Sequence, residues 1–291
     1  MSSPVAVVGA GYLGAAVAAA LRPPVIATTR SGRWHGDEDE DGGPPTGVEL
    51  HALDVSAPQL DLAALRPAQA VVLCYAPGRT QDREALYVEG TRRLLHGLVG
   101  GALRRLVWVS STSALPDRDA WLDERCEDWP DHERGRVQRR AEQGVIDHAT
   151  QHGIPWLVLR LGGLYGPGRG LERIYGRHGG GGGGGGRRGS GPLPGDGLAP
   201  TNLVHRDDAV AAVLAAVAAP ATLQGIVHVV DDDHTPRRRM YAAIAERLGR
   251  PPVTWAEPAP PGSVPRGKRV SNRRLKHWLG IRLRKPLHEL P

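Results

Sequence analysis

The chain has 291 residues, a formal net charge of +6 and 40% hydrophobic residues. That suffices for one large domain, or a domain with a small appendage. No apolar run reaches the roughly 18 residues of a membrane span, and the first strand begins too early for a secretory leader. Cys74 and Cys126 make neither a disulfide framework nor a metal cluster, which points to a reduced, cytoplasmic setting. Cys74 sits in an apolar strand and reads as core. Lysine occurs only at 268, 276 and 285 and phenylalanine not at all, a coding bias that carries no function.

The chain opens on PVAVVGAGYLGAAVAAAL, residues 4–21. A run of β-formers meets Gly9, Gly11 and Gly14, and an alanine-rich helix pattern follows. Strand, glycine turn and helix stand in the order a dinucleotide fingerprint needs. Gly9 permits the tight turn, Gly11 lets a pyrophosphate approach the backbone, and Gly14 lets the helix lie close to the strand. Tyr12 and Leu13 fall between them, where the free N–H groups of the helix start face the phosphates.

Further strands are expected at 25–29, at 48–53 before Asp54, and at 70–75 before Ala76, Pro77 and Gly78. A helix follows at 82–98, a strand at 105–110, a helix at 134–152 and a strand at 156–161. The remainder alternates helix 207–218, strand 226–230 and helix 238–248. This alternation predicts an α/β fold, a Rossmann-type doubly wound parallel sheet with a small C-terminal substrate lobe. Residues 1–165 would form the dinucleotide-binding core; 166–291 would complete the sheet and form the lobe.

Three stretches fall outside the pattern. Residues 36–47 are acidic, then Gly/Pro-rich, and read as a solvated loop. Gly179 to Gly186 is an unbroken glycine run between Arg177 and Arg187, expected to be mobile, as a lid or as a disordered insertion. Residues 266–285 carry nine basic side chains and read as an exposed tail with helix-end cations, since no aromatic platform for nucleic acid accompanies them.

Six motifs lie in register: GAGYLG, Asp54-Val55, CYAP at 74–77, VSST at 109–112, RLGGLYGPG at 160–168 and NLVHRDD at 202–208. Together they resemble the short-chain dehydrogenase/reductase superfamily, nearest its extended and atypical NAD(P)-dependent epimerase/dehydratase members, over about residues 4–250. The resemblance implies that Asp54 bonds the adenine amino group with Val55 beside the ring. It implies that Tyr75, Ala76 and Pro77 line the cofactor, and that Thr112, with Ser111 as neighbouring candidate, bonds the reacting oxygen. Tyr165 would sit near nicotinamide and substrate, and His205 would be structural. Family members also dimerise through helices matching 82–98 and 134–152, so a homodimer is an expectation.

At the end of the second strand an NAD-preferring fold places a carboxylate. Here Thr29, Arg30, Ser31 and Arg33 stand instead, with no acid before Asp37. These donors suit a 2′-phosphate, so NADP(H) is favoured over NAD(H).

One family feature is missing. Its Tyr-x-x-x-Lys pair, in which the lysine tunes the tyrosine as proton donor, aligns with Arg134 and Gln138. No tyrosine in the chain has a lysine four residues later. Gln138 retains a hydrogen bond for the cofactor ribose; Arg134 cannot act as a general acid but can hold an anion or a developing oxyanion. Three functions fit. The first is an NADPH-dependent reductase of an imine, enone or ketone, with the proton drawn from Tyr165, Tyr75, Thr112 with water, or the substrate. The second is a non-redox cyclase, isomerase or dehydratase. The third is a silent NADP-binding sensor.

Overall fold

A computed structural model describes residues 3–35, 43–78, 80–170, 192–259 and 266–284. The acidic run at 37–41 and the glycine run at 179–186 lie outside the described residues.

Seven parallel strands form the central sheet: β1 (Val5–Val8), β2 (Val25–Thr29), β3 (Val48–Ala52), β4 (Ala70–Leu73), β5 (Arg105–Ser111), β7 (Trp156–Leu161) and β10 (Gly225–Val229). Their spatial order is β10-β7-β5-β4-β1-β2-β3. The chain order reverses between β1 and β4, and ligands of doubly wound sheets bind beyond the strand carboxyl ends at such a switch. The inner strands read as short apolar runs because helices cover both faces; β2 and β4 are buried at every position.

On one face lie α2 (Thr91–Leu98), entered through a wide π turn at Ala85–Gly90, and α3 (Glu133–Gln151). Leu94, Leu95, Leu98, Val137 and Ala141 pack there against Trp108. On the other face α1 (Gly14–Ala20) and α4 (Arg206–Ala218) press Val17, Ala18, Ala209 and Val213 onto Val7, Val107 and Leu159. His205 caps α4, its Nδ1 accepting from the Asp207 N–H at 3.2 Å.

Two further strand pairs lie outside the main sheet. Strands β8 (Gly163–Tyr165) and β9 (Leu203–His205) pair with each other, as do β6 (Trp121–Leu122) and β11 (Arg269–Val270). A separate cluster joins Tyr165 to Met240, Tyr241 and Ile244, the last three on α5 (Arg237–Arg247). Most predicted elements stand within one or two residues of their expected ends; the helix expected at 82–98 is divided into the π turn at Ala85–Gly90 and α2. The basic tail differs from its expectation: Val270 in β11 and Leu275 in α6 (Arg273–Leu279) are fully buried, and Leu275 packs into the same cluster as Val213. Residues 266–284 are thus a docked segment, a correction to the exposed tail expected there. A basic count reads charge and misses the two apolar anchors between the cations.

If this segment belongs to the folded unit, Leu275→Ala will lower unfolding stability by about 2–5 kcal/mol. Urea denaturation of the full chain measures it, and a change below about 0.5 kcal/mol is the surface-site result.

Candidate active site

The glycine turn follows β1 and is held from beneath by backbone: the N–H groups of Gly9 and Ala10 donate to the Thr28 carbonyl at 3.1 and 2.7 Å. Gly9 has φ +95°, and a Cβ there would lie 2.7 Å from Tyr75. A Cβ on Gly14 would fall 2.2 Å from the Gly9 carbonyl oxygen, whereas one on Gly11 would meet nothing within 4 Å. Two glycines therefore serve internal packing. Only Gly11 opens onto free space, the cradle a pyrophosphate needs. Tyr12 carries the Arg169 guanidinium 3.8 Å over its ring, which brings the turn after β8 back to the glycine turn. Leu13 is buried beneath α1.

Beyond β2, Arg30, Ser31 and Arg33 are exposed. Thr29 is buried, and its hydroxyl donates to the Arg33 carbonyl at 3.0 Å. Its donor serves the turn and not a ligand, which corrects its expected role. One Asp54 oxygen accepts from the Ser56 N–H and hydroxyl at 2.9 and 2.6 Å. Val55 is core, packed with Leu86 and Leu94. Ala76 and Pro77 retain surface. The Tyr75 ring leans edge-on to Trp108 at 5.6 Å, and its hydroxyl bonds Thr91 Oγ1 at 2.6 Å. Burial raises its pKa well above the ordinary phenol value. Burial also pushes the Cys74 thiol up to about 12, the behaviour of a core cysteine.

Strand β5 delivers Ser110, Ser111 and Thr112 to the sheet's carboxyl edge. Ser111 Oγ accepts from the Ser113 N–H at 3.1 Å and starts a 3-10 turn, Thr112–Ala114. Ser110 points into a buried network instead: its hydroxyl donates to Glu142 Oε1 at 2.5 Å and accepts from Gln138 Nε2 at 3.0 Å. Arg160 of β7 forks onto the same carboxylate, Nε and Nη2 at 2.9 and 2.7 Å. Burial pushes the Glu142 carboxyl up, opposed by the Ser110 hydroxyl and by the nearby Arg139 guanidinium. Arg134 opens the same helix, two turns before Glu142, and is exposed.

Tyr165, expected near the substrate, is 1% exposed and packs edge-on to His205 at 5.3 Å. Its hydroxyl bonds Asp231, and burial with neighbouring carboxylates raises its pKa. A phenol so sealed cannot reach a substrate, a correction to its place among the proton sources. The sequence pattern did not reveal Asp231. It is 2% exposed, and burial pushes its carboxyl up to about 7. Its signal was present in Asp231-Asp232-Asp233, an acidic run directly after an apolar strand.

Residues 5–230 match the NAD dependent epimerase/dehydratase family. The chain belongs to that family. Its members are NAD(P)-dependent enzymes. A 3-diazoavenalumate denitrifying reductase from Streptomyces sp is 34% identical over 217 residues, 70% of this chain and 69% of that protein. Protein YeeZ of Escherichia coli K12 is 26% identical across 97% of this chain and 96% of its own length. Among solved structures, MoeE5 in complex with UDP-glucose and NAD superposes with a TM-score of 0.76 at 21% identity, covering 98% of this chain and 95% of its own. At that identity the likeness shows the fold. Among the described residues no helix is long and apolar enough to cross a membrane.

Two outcomes follow. Gly11→Val will leave the melting temperature within about 2 °C but weaken binding of the nicotinamide dinucleotide at least about tenfold, whereas Gly14→Ala will destabilise the fold; fluorescence titration and thermal unfolding separate them. Asp231 binds its proton more tightly folded than unfolded, so its contribution is full below about pH 4 and is lost as pH rises through about 7. Asp231→Asn will therefore gain at least about 1 kcal/mol over the wild type at pH 8 relative to pH 5, read from urea midpoints.

Proposed function

We propose that this protein is an NADP(H)-dependent reductase of a small-molecule acceptor, of a kind whose reduction needs no proton from the usual helix tyrosine: an iminium or a conjugated acceptor. The observation that carries this is the pair Arg134 and Gln138, which stand where the family's tyrosine and lysine would stand, with Gln138 committed to Ser110. When bound, the dihydronicotinamide supplies a hydride. The chain's residues supply placement. Arg30 and Arg33 would grip the 2′-phosphate, Gly11 would admit the pyrophosphate, and the second Asp54 oxygen would accept from the adenine amino group. Thr112 would hold the acceptor; with a conjugated acceptor, Arg134 would stabilise the enolate that hydride addition forms, which then takes its proton from water. A guanidinium stabilises an anion well but gives up no proton near neutral pH. Hydride addition to an iminium forms no alkoxide and asks for no such proton.

The relatives support a reductase. The matching Streptomyces protein is named as a reductase of a diazo compound, an acceptor that is not a simple ketone.

NADPH oxidation over quaternised iminiums, enones and ketones tests the reading. The iminium or enone class will turn over at least about a hundredfold faster than the ketones, the span general acid catalysis commonly supplies. Bound cofactor with no turnover on any class would overturn it. Product formed without net cofactor change would replace it with an epimerase or dehydratase. For cofactor choice, Arg30→Ala with Arg33→Ala will raise the NADPH Kd at least about tenfold and leave the NADH Kd within about twofold. Equal losses for both would point to NAD.

A further inference from the structure

The family match ends at residue 230, yet a side chain beyond it reaches the candidate site. Lys268 is the first lysine in the chain. Its Nζ donates to the carbonyls of Thr112 and Leu115, at 3.1 and 3.2 Å, and pairs with Asp117 at 2.7 Å. The side chain is 15% exposed. Those carbonyls bracket the Thr112–Ala114 turn, so one ammonium holds both its ends. Next door, Arg269 pairs with Asp119 at 3.0 Å, and β11 pairs with β6.

The same short segment is gripped from the opposite side. Asn202 donates through Nδ2 to the Lys268 carbonyl at 3.0 Å and accepts from the Val270 N–H at 2.9 Å. The Asn202 carbonyl accepts from the Gly163 N–H at 2.8 Å. It also lies where a Cβ on Gly162 would come within 2.5 Å. Residues 268–270 therefore bridge the turn after β5, which carries Thr112, and the turn after β7.

We propose that Lys268 is a positioning residue: it fixes the Thr112 turn against the β7–β8 turn, so that the segment outside the family-matched span completes the active site. This rests on the reading that Thr112 holds the acceptor. An ammonium suits the task because it is a compact, three-donor charge able to satisfy two carbonyls and a carboxylate at once. A methionine of similar length would leave both carbonyls without that donor and Asp117 without its partner.

Lys268→Met, Lys268→Arg and Thr112→Ala in the full chain test this with two readouts. By hydrogen exchange, Lys268→Met will speed exchange of the Ser113 and Leu115 amides at least about tenfold, leaving Val72 and Val107 in the central sheet unchanged. NADPH affinity will stay within about twofold. On the acceptor found above, kcat will fall about thirtyfold or more, and Lys268→Arg will recover most of it. In the Thr112→Ala background the same change will cost no more than about twofold, since paired residues acting through one group are not additive. Unchanged exchange at Ser113 and Leu115 would overturn the proposal. So would a full kcat loss persisting in the Thr112→Ala background. If Thr112→Ala alone leaves turnover intact, the role given to Thr112 fails, and the exchange rates alone then decide whether Lys268 fixes the turn.

Discussion

The buried pair between Glu142 and Arg160 is the constraint that orders the site. Side-chain exposures of 2% and 0% put both charges in a medium where either alone would cost several kcal/mol. The geometry answers that cost with a two-pronged contact, and Ser110 adds a third bond to the carboxylate. Arg160 belongs to β7, Ser110 to its neighbour β5 directly opposite it in the sheet, and Glu142 to α3. One cluster thus fixes the rotation and height of α3 over the two strands. Positions four residues apart share a helix face, so fixing Glu142 also fixes Gln138, whose amide bonds Ser110 in the same cluster.

From that frame the departure from the family's chemistry becomes concrete. On the proposed reading, α3 offers the Arg134 guanidinium and the Gln138 amide where a phenol and an ammonium would stand. The amide turns inward to Ser110 and joins the same network. The nearby phenols are occupied elsewhere: Tyr75 bonds Thr91, and Tyr165 is sealed against Asp231. On the proposed reading the site is strong in placement and in stabilising negative charge, while the carboxyl that titrates near neutral pH, Asp231, is buried against Tyr165. Chemistry that draws only a hydride from the cofactor suits such a site.

Much of this was legible in the residues. The alternation of short apolar strands with helix-length patterns predicts the sheet because strands covered on both faces are mostly apolar. Gly9, Gly11 and Gly14 predict the turn because each needs a missing Cβ, although only Gly11 needs it for a ligand. The replacement at 134 and 138 is visible as soon as the helix is placed. Other features depend on distance in space. Neither Glu142 nor Arg160 announces its partner across 18 residues. Lys268 reads as one cation of a basic tail until β11 carries it to Thr112. Tyr165 reads as a site tyrosine because the motif around it is right, but the packing of α5 decides that it is core.

The central claim is that the site reduces without an enzymic acid on α3. The pH dependence of kcat on a quaternised iminium, which has no proton of its own to lose, tests it most directly. The account predicts a kcat that varies by less than about twofold between pH 6 and 9, with the cofactor hydrogen found at the acceptor carbon. A kcat that falls tenfold per pH unit, as an enzyme acid loses its proton, would contradict it.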